Sequence, residues 1–317
     1  MLSSAKTASI LSIGLQRHAF QALRAASTAA LSNPSPTHRP RPEVHVLANA
    51  ASQPSLQKPS MVTRFSSVAQ EHLYSDLQQK PALSLANHPP IPDYLRNYYW
   101  WAYISPTMIR TLDHQFLVDI VLWGNFSQLR DSAIDALQSE NDLIQGKTLQ
   151  MSCVYANLTE AVADRLAPEA SLNVIDVVPA QLENLSRKLH RSKSHKLDQV
   201  SLSCYNAVDL RDFEDESFDQ VLLFFLLHET PDDVRQQALA EACRVLKPNG
   251  GKLVLIDYHK PTSLLWQGIM STMYRIYEPF AKDLWMHDLS SWMPESITSV
   301  QKTTSFGGLY QRVVATK

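Results

Sequence analysis

Thr148-Leu149-Gln150-Met151-Ser152-Cys153-Val154-Tyr155-Ala156-Asn157-Leu158-Thr159 is the stretch on which the reading of this chain turns. Residues 148–154 pattern as a short strand and 158–166 as a helix that stops near Pro168. A strand, a tight turn and a helix open the nucleotide-binding unit of an α/β sheet. Such a turn normally holds glycines, because glycine takes positive φ without steric cost and lets a ligand approach the backbone. This turn holds none.

Downstream the alternation continues. Residues 171–177 read as an apolar strand carrying Asp176, and 179–189 as a helix opened by Pro179. Residues 200–205 form another strand, and 218–227 (FDQVLLFFLL) are apolar enough for a central parallel strand covered on both faces. A helix over 231–246 has Asp232 and Asp233 in its first turn and stops at Lys247-Pro248-Asn249-Gly250-Gly251. Residues 252–258 are a further strand. A long helical stretch rich in Trp, Met and Tyr covers 263–292. Two alternating runs, 297–304 and 309–316, flank Phe306-Gly307-Gly308 as a terminal hairpin. The β-α rhythm predicts a doubly wound, mostly parallel sheet.

Upstream, residues 107–137 repeat apolar side chains at helical spacing, as one or two helices, behind an aromatic run of Tyr94, Tyr98, Tyr99, Trp100, Trp101 and Tyr103. Charge separates the leader from the rest. Residues 1–66 carry seven Lys or Arg and one acid, Glu43, whereas residues 67–317 carry 22 basic and 30 acidic residues. An acidic body is a poor match for a phosphate backbone, so nucleic acid is not expected as a partner. The leader has the Arg-bearing, Ser- and Ala-rich composition of a mitochondrial transit peptide, followed by a Pro-rich linker; a plain basic tail is the other reading. The expected divisions are a leader at 1–66, an aromatic-rich helical cap at 67–145 and the sheet domain at 146–317. Three widely spaced cysteines form no zinc pattern or disulfide framework.

In such a sheet, ligands bind beyond the carboxyl ends of the strands. The first such turn, 148–159, is therefore the expected cofactor loop. Asp176 stands where an acid holds ribose hydroxyls, or else caps the following helix. Asn206 is placed to read an adenine edge; Asp209 is placed to do the same or to hold a turn. Tyr155 is the leading catalytic candidate, by hydrogen bonding or ring stacking, against a packing role. His228, beside Glu229 after the fourth strand, is a candidate base or metal ligand, against a capping role.

Phe218-Asp219-Gln220-Val221, Leu227-His228-Glu229 and the run from Ala242 to Gly251 resemble class I S-adenosylmethionine-dependent methyltransferases over 146–317. Gln150, Ser152, Val154 and Ala156 stand where that family keeps an acid and three glycines. The rewritten turn, with residues 94–103, Gly124-Asn125-Phe126, Leu129-Arg130-Asp131 and Leu227-His228-Glu229-Thr230-Pro231, resembles the rhodoquinone biosynthesis (RquA) family over 90–317. The resemblance implies a seven-stranded sheet with a helical cap and a helical insertion before the hairpin. It also implies an enzyme that replaces a ring methoxy group of ubiquinone by an amino group, with S-adenosylmethionine as amino donor and manganese as cofactor. A quinone methyltransferase, or a silent cofactor-binding subunit of a quinone-synthesis complex, are the alternatives. Manganese prefers oxygen donors with some imidazole. Asp257 and His259, at a strand end, are the expected ligands among Asp257, His259, His228, Glu229, Asp176, His287 and Asp288. The implied substrate places the protein on the matrix side of the inner mitochondrial membrane. Residues 94–103 and 264–274 are the segments expected to shelter the quinone or meet that surface.

Overall fold

The computed structural model describes residues 82–84, 88–139, 141–192 and 196–317. The expected leader at 1–66 lies outside the described residues. Residues Lys80–Lys317 form one compact unit. Its sheet has eight strands: β1 (Ala82–Ser84), β2 (Lys147–Gln150), β3 (Ser171–Asp176), β4 (Val200–Cys204), β5 (Gln220–Phe224), β6 (Lys252–Tyr258), β7 (Ser299–Ser305) and β8 (Tyr310–Thr316). Their spatial order is β1-β4-β3-β2-β5-β6-β8-β7. Strands β1 to β6 pair in parallel, and β8 runs antiparallel between β6 and β7. Setting β1 aside, this is the doubly wound, seven-stranded order of a class I methyltransferase-like fold. The eighth strand, β1, extends the β4 edge and was not expected.

The strands form where the sequence demands burial on both faces. In β5 all five residues are buried, as the apolar run requires. Alternate residues feed two cores. Leu172, Val174, Leu222, Phe224, Val254 and Ile256 join one. Leu149, Ile175, Val221, Leu223, Leu253 and Leu255 join the other.

Around the sheet lie α1 (Pro106–Leu112), α2 (Gln115–Val121), α3 (Phe126–Leu137), α4 (Leu158–Asp164), α5 (Pro179–Arg191), α6 (Asp232–Val245) and α7 (Leu264–Tyr277). The stretch expected as one or two helices over 107–137 is three. Asp113 and His114 interrupt it first, then Trp123 and Gly124, both at positive φ. The aromatic run coils into a π-helix, Leu95–Ile104, which buries Leu95, Tyr99, Trp101 and Ala102. The long helix expected over 263–292 ends at Tyr277, and 3-10 turns Ala281–Trp285 and Leu289–Trp292 follow. Pro279 accounts for the break, since the residue before a proline is pushed out of the helical region. The expected strand at 218–227 shortens to β5, because its last residues form a 3-10 turn, Leu227–Glu229.

Chain direction reverses its lateral progress between β2 and β5. From β2 the sheet grows through β3 and β4; from β5 it grows the other way. The crevice at that switch lies beyond Gln150 and Phe224, so the glycine-free turn and the Leu227–Glu229 turn meet at the same edge.

Candidate functional site

No glycine occurs between Gly146 and Gly250, so the turn after β2 is shaped by other means. Gln150 is buried, and its amide Nε2 donates to the Ser152 carbonyl (2.8 Å) and to Thr159 Oγ1 (3.0 Å). A carboxylate here would face the Ser152 carbonyl without a proton to give, although the Thr159 hydroxyl, 3.2 Å from Gln150 Oε1, could donate to it. The neutral amide is thus what the turn requires of this position. Ala156 has φ +61°, the left-handed conformation a glycine would adopt. Its N–H donates to Asp113 Oδ1 (2.8 Å), and its carbonyl accepts from Lys188 Nζ.

Asp176 closes the turn from the side. Its Oδ2 accepts the Cys153 N–H (2.9 Å) and its Oδ1 the Val178 N–H (2.8 Å). Burial pushes this carboxyl up to about 6, against the pull of those backbone donors. The Cys153 side chain and the Val177 N–H bond this carboxyl as well. The structure therefore gives Asp176 a turn-holding role. Asn206 accepts the Val208 N–H (3.3 Å) through its Oδ1. Asp209 is instead paired with Arg211 at 2.7 Å, partly exposed, and is held below the usual carboxylate range by that guanidinium. That pairing fits a turn rather than an adenine contact.

Tyr155 reaches into the cap. Its Oη donates to the Ala102 carbonyl (2.6 Å) and accepts from Gln181 Nε2 (3.0 Å), and its ring stacks on Tyr103 at 5.8 Å. The hydroxyl is thus occupied, and burial pushes its pKa well up, so what Tyr155 has left to offer a planar ligand is its ring. Tyr99 leans on Tyr103 (5.9 Å), and Tyr94 and Tyr98 meet Phe280 edge-on. Together these rings wall the crevice on the side of the π-helix.

Against them, three donors converge. One ligand atom each from His228, Glu229 and Glu278 lies within 4.8 Å of the others. His228 Nε2 is 3.6 Å from Glu229 Oε1 and 3.9 Å from Glu278 Oε2, too far for hydrogen bonds and close enough for one ion to bridge. Behind the ring, His228 Nδ1 lies 3.0 Å from Asp257 Oδ1. A carboxylate in that position orients a ligating imidazole. Tyr103 donates its hydroxyl to Glu229, joining the aromatic wall to this cluster. Burial holds the Glu229 and Glu278 carboxyls up. Burial also pushes His228 down, but Asp257, Glu278 and Glu229 outweigh it and leave the imidazole raised. Buried carboxylates of this kind take a charge readily only beside a compensating cation.

The expected metal pair, Asp257 and His259, is not what converges. Asp257 is fully buried and accepts the N–H groups of Leu227 (2.9 Å), His228 (3.3 Å) and Tyr258 (2.7 Å). His259 Nδ1 faces the Gly308 carbonyl at 2.9 Å. Asp257 is committed to pinning the turn, and His259 to the hairpin. His287 and Asp288 serve the exposed 3-10 turns, where Asp288 pairs with Lys302.

Sequence reading missed Glu278 and Asp113. Glu278 had a signal: it is the sole acid between Asp257 and Asp283, in an aromatic segment. Asp113 had none, because its partners lie 43 to 75 residues away.

Residues 149–250 match a family model described as a methyltransferase domain. A demethylmenaquinone methyltransferase of Bacillus cytotoxicus is 30% identical over 155 residues, 48% of this chain and 62% of that protein. One from Listeria welshimeri is 29% identical over 168 residues, covering 51% and 67%. The chain thus spans under two thirds of the Bacillus relative. Phosphoethanolamine N-methyltransferase 2 of Haemonchus contortus, solved with S-adenosyl-L-methionine, superposes at TM-score 0.48 and 14% identity, over 71% of this chain and 59% of that one. The chain therefore carries a methyltransferase-type domain, and its similar relatives include enzymes named for a quinone.

Proposed function

We propose that this protein uses S-adenosylmethionine to modify a membrane quinone, replacing a ring methoxy group of ubiquinone by an amino group to give rhodoquinone. The observation that carries the amino reading is Gln150. The position where a methyltransferase keeps an acid holds a buried neutral amide, spent on Ser152 and Thr159. The α-amine of a bound cofactor would find no carboxylate there to pair with and keep it protonated. Asp176 would hold the ribose and Asn206 the adenine edge, while Ser152, Val154 and Ala156 line the turn. The bound cofactor would supply the transferred nitrogen. Tyr103 and Tyr155 offer the quinone ring a stacking face.

Manganese belongs to the same proposal. His228, Glu229 and Glu278 are the residues that would hold it, an oxygen-rich set with one imidazole. Bound there, the ion would supply Lewis acidity toward a quinone oxygen. His228 would then be a ligand rather than a base. Loss of the aqueous Mn²⁺ spectrum by electron paramagnetic resonance on titration of the full chain tests this directly. His228→Ala and Glu278→Gln are each expected to weaken binding at least tenfold; unchanged binding in both removes the assignment.

A second reading, quinone methylation, is favoured by the names of the relatives. The protein incubated with ubiquinone, S-adenosylmethionine and Mn²⁺ and read by product mass separates the two. Exchange of methoxy for amino supports the proposal, addition of a methyl supports the second reading, and retained cofactor binding without product supports a silent subunit. Gln150→Glu that aminates at the wild-type rate would remove the argument from Gln150.

The proposal places the enzyme at the matrix face of the inner mitochondrial membrane, where the substrate's tail resides. Leader composition supports this. So does helix α7, which leaves Leu264 83% and Leu265 64% exposed while Trp266 packs against Trp123 and Phe306. Among the described residues no helix is long and apolar enough to cross a membrane, so contact would be interfacial.

A further inference from the structure

We infer that Asp113 and Lys188 form a clamp that takes the place of the missing turn glycine, and that the cap thereby sets the shape of the cofactor turn. A left-handed residue other than glycine is strained, because Cβ crowds the following carbonyl. Ala156 holds that conformation at φ +61°, so something must fix it. Both of its backbone polar groups are held by charged side chains. Asp113 Oδ1 accepts its N–H at 2.8 Å, and Lys188 Nζ donates to its carbonyl. Such charge-assisted bonds are the stronger kind.

The two charges also hold each other. Lys188 Nζ lies 2.9 Å from Asp113 Oδ1 and 3.6 Å from Glu160 Oε1. Asn184 Nδ2, one helical turn earlier on α5, donates to Asp113 Oδ2 at 2.6 Å. The Asp113 side chain is 5% exposed, which strengthens these bonds relative to a solvated pair. Asp113 is the residue that ends α1, so it belongs to the cap and not to the sheet. The neighbouring turn residue is tied to the cap as well, through Tyr155 and Ala102. Two consecutive residues of the turn thus take their geometry from the segment that also carries the aromatic wall. Asp113 and Lys188 are positioning residues: they act on the cofactor through Ala156 and touch no reacting atom.

This assignment rests on the turn being the cofactor site, and the test separates the two claims. S-adenosylhomocysteine binding to the full chain is measured by calorimetry for the wild type, Asp113→Ala, Lys188→Met, Ala156→Gly and the double variant Asp113→Ala with Ala156→Gly. Either clamp variant is expected to weaken binding about tenfold, the scale of a left-handed penalty. Ala156→Gly alone is the reference for the double variant, since glycine adopts this φ freely. The double variant recovers to within about threefold of Ala156→Gly, a rescue that general loss of stability would not give. Amide exchange over 151–157 reads the clamp without any ligand, and is expected to quicken in Asp113→Ala and slow again in the double variant. Wild-type affinity and exchange in Asp113→Ala, or a double variant no better than Asp113→Ala, overturns the clamp. A wild type that binds no S-adenosylhomocysteine overturns the cofactor reading alone, and the exchange arm then decides the clamp.

Discussion

At Asp176, one carboxyl holds the turn through Cys153 and Val178, and in the proposed function it would also hold a cofactor hydroxyl. Burial raises it to about 6 in the folded chain, above the ordinary carboxylate value of about 3.9. The folded state therefore binds the proton more tightly than the unfolded one. The resulting stabilisation is fully present below about pH 4 and lost as pH rises through about 6. Ligand binding runs the other way, because the ionised carboxylate is the better acceptor. Affinity for S-adenosylhomocysteine is expected to be about tenfold weaker at pH 5 than at pH 7. Asp176→Asn should flatten that profile, and a profile unchanged by the substitution would contradict the role. Gln150→Glu should also cost stability, roughly 2–3 kcal/mol by urea unfolding, since it sets an acid against the Ser152 carbonyl in a buried site. These two positions were legible in the sequence because strand ends fix them. Glu278 and Asp113 were not, because only tertiary packing brings them to the crevice.

Among the elements, the 3-10 turn Leu227–Glu229 is held from two sides, by Asp257 on its N–H groups and by Arg235 on the Leu227 carbonyl. Arg235 on α6 is fully buried. It donates to the carbonyls of Leu227 (3.0 Å), Thr230 (2.9 Å) and Phe280 (3.1 Å), and lies over the Trp292 ring. It thereby ties the turn bearing His228 and Glu229 to the segment just after Glu278. Arg235→Met leaves the Thr230 carbonyl without its donor, while the Leu227 carbonyl keeps Thr230 and the Phe280 carbonyl keeps the Asp283 N–H, and should cost roughly 1–3 kcal/mol in urea unfolding. It should weaken Mn²⁺ binding as well, through loss of register between donors; full retention of both would deny Arg235 this function. The sequence carried β2 to β6, α5, α6 and the hairpin within a few residues, since apolar runs and Pro or Gly stops mark them. It did not carry the π-helix, whose aromatic run has no helical stripe, or β1, where only three residues pair with β4.

For the molecule as a whole, the proposed meeting with a substrate at a membrane surface falls to the exposed leucines on α7. Leu264→Ser with Leu265→Ser is expected to lower co-sedimentation with liposomes of mitochondrial lipid composition several-fold, each leucine contributing up to about 1.5–3 kcal/mol on burial. S-adenosylhomocysteine binding should stay unchanged, and undiminished sedimentation would remove α7 as the contact. The sheet itself carries one more consequence. β8 follows β7 in the chain yet lies inside it, hydrogen-bonded to β6 on one side and β7 on the other. Until residue 316 has left the ribosome, β6 has no neighbour on that flank, and Val313 and Ala315 are missing from the core they complete. The inner position beside β6 is thus filled by a strand that comes later in the chain than the edge strand it carries.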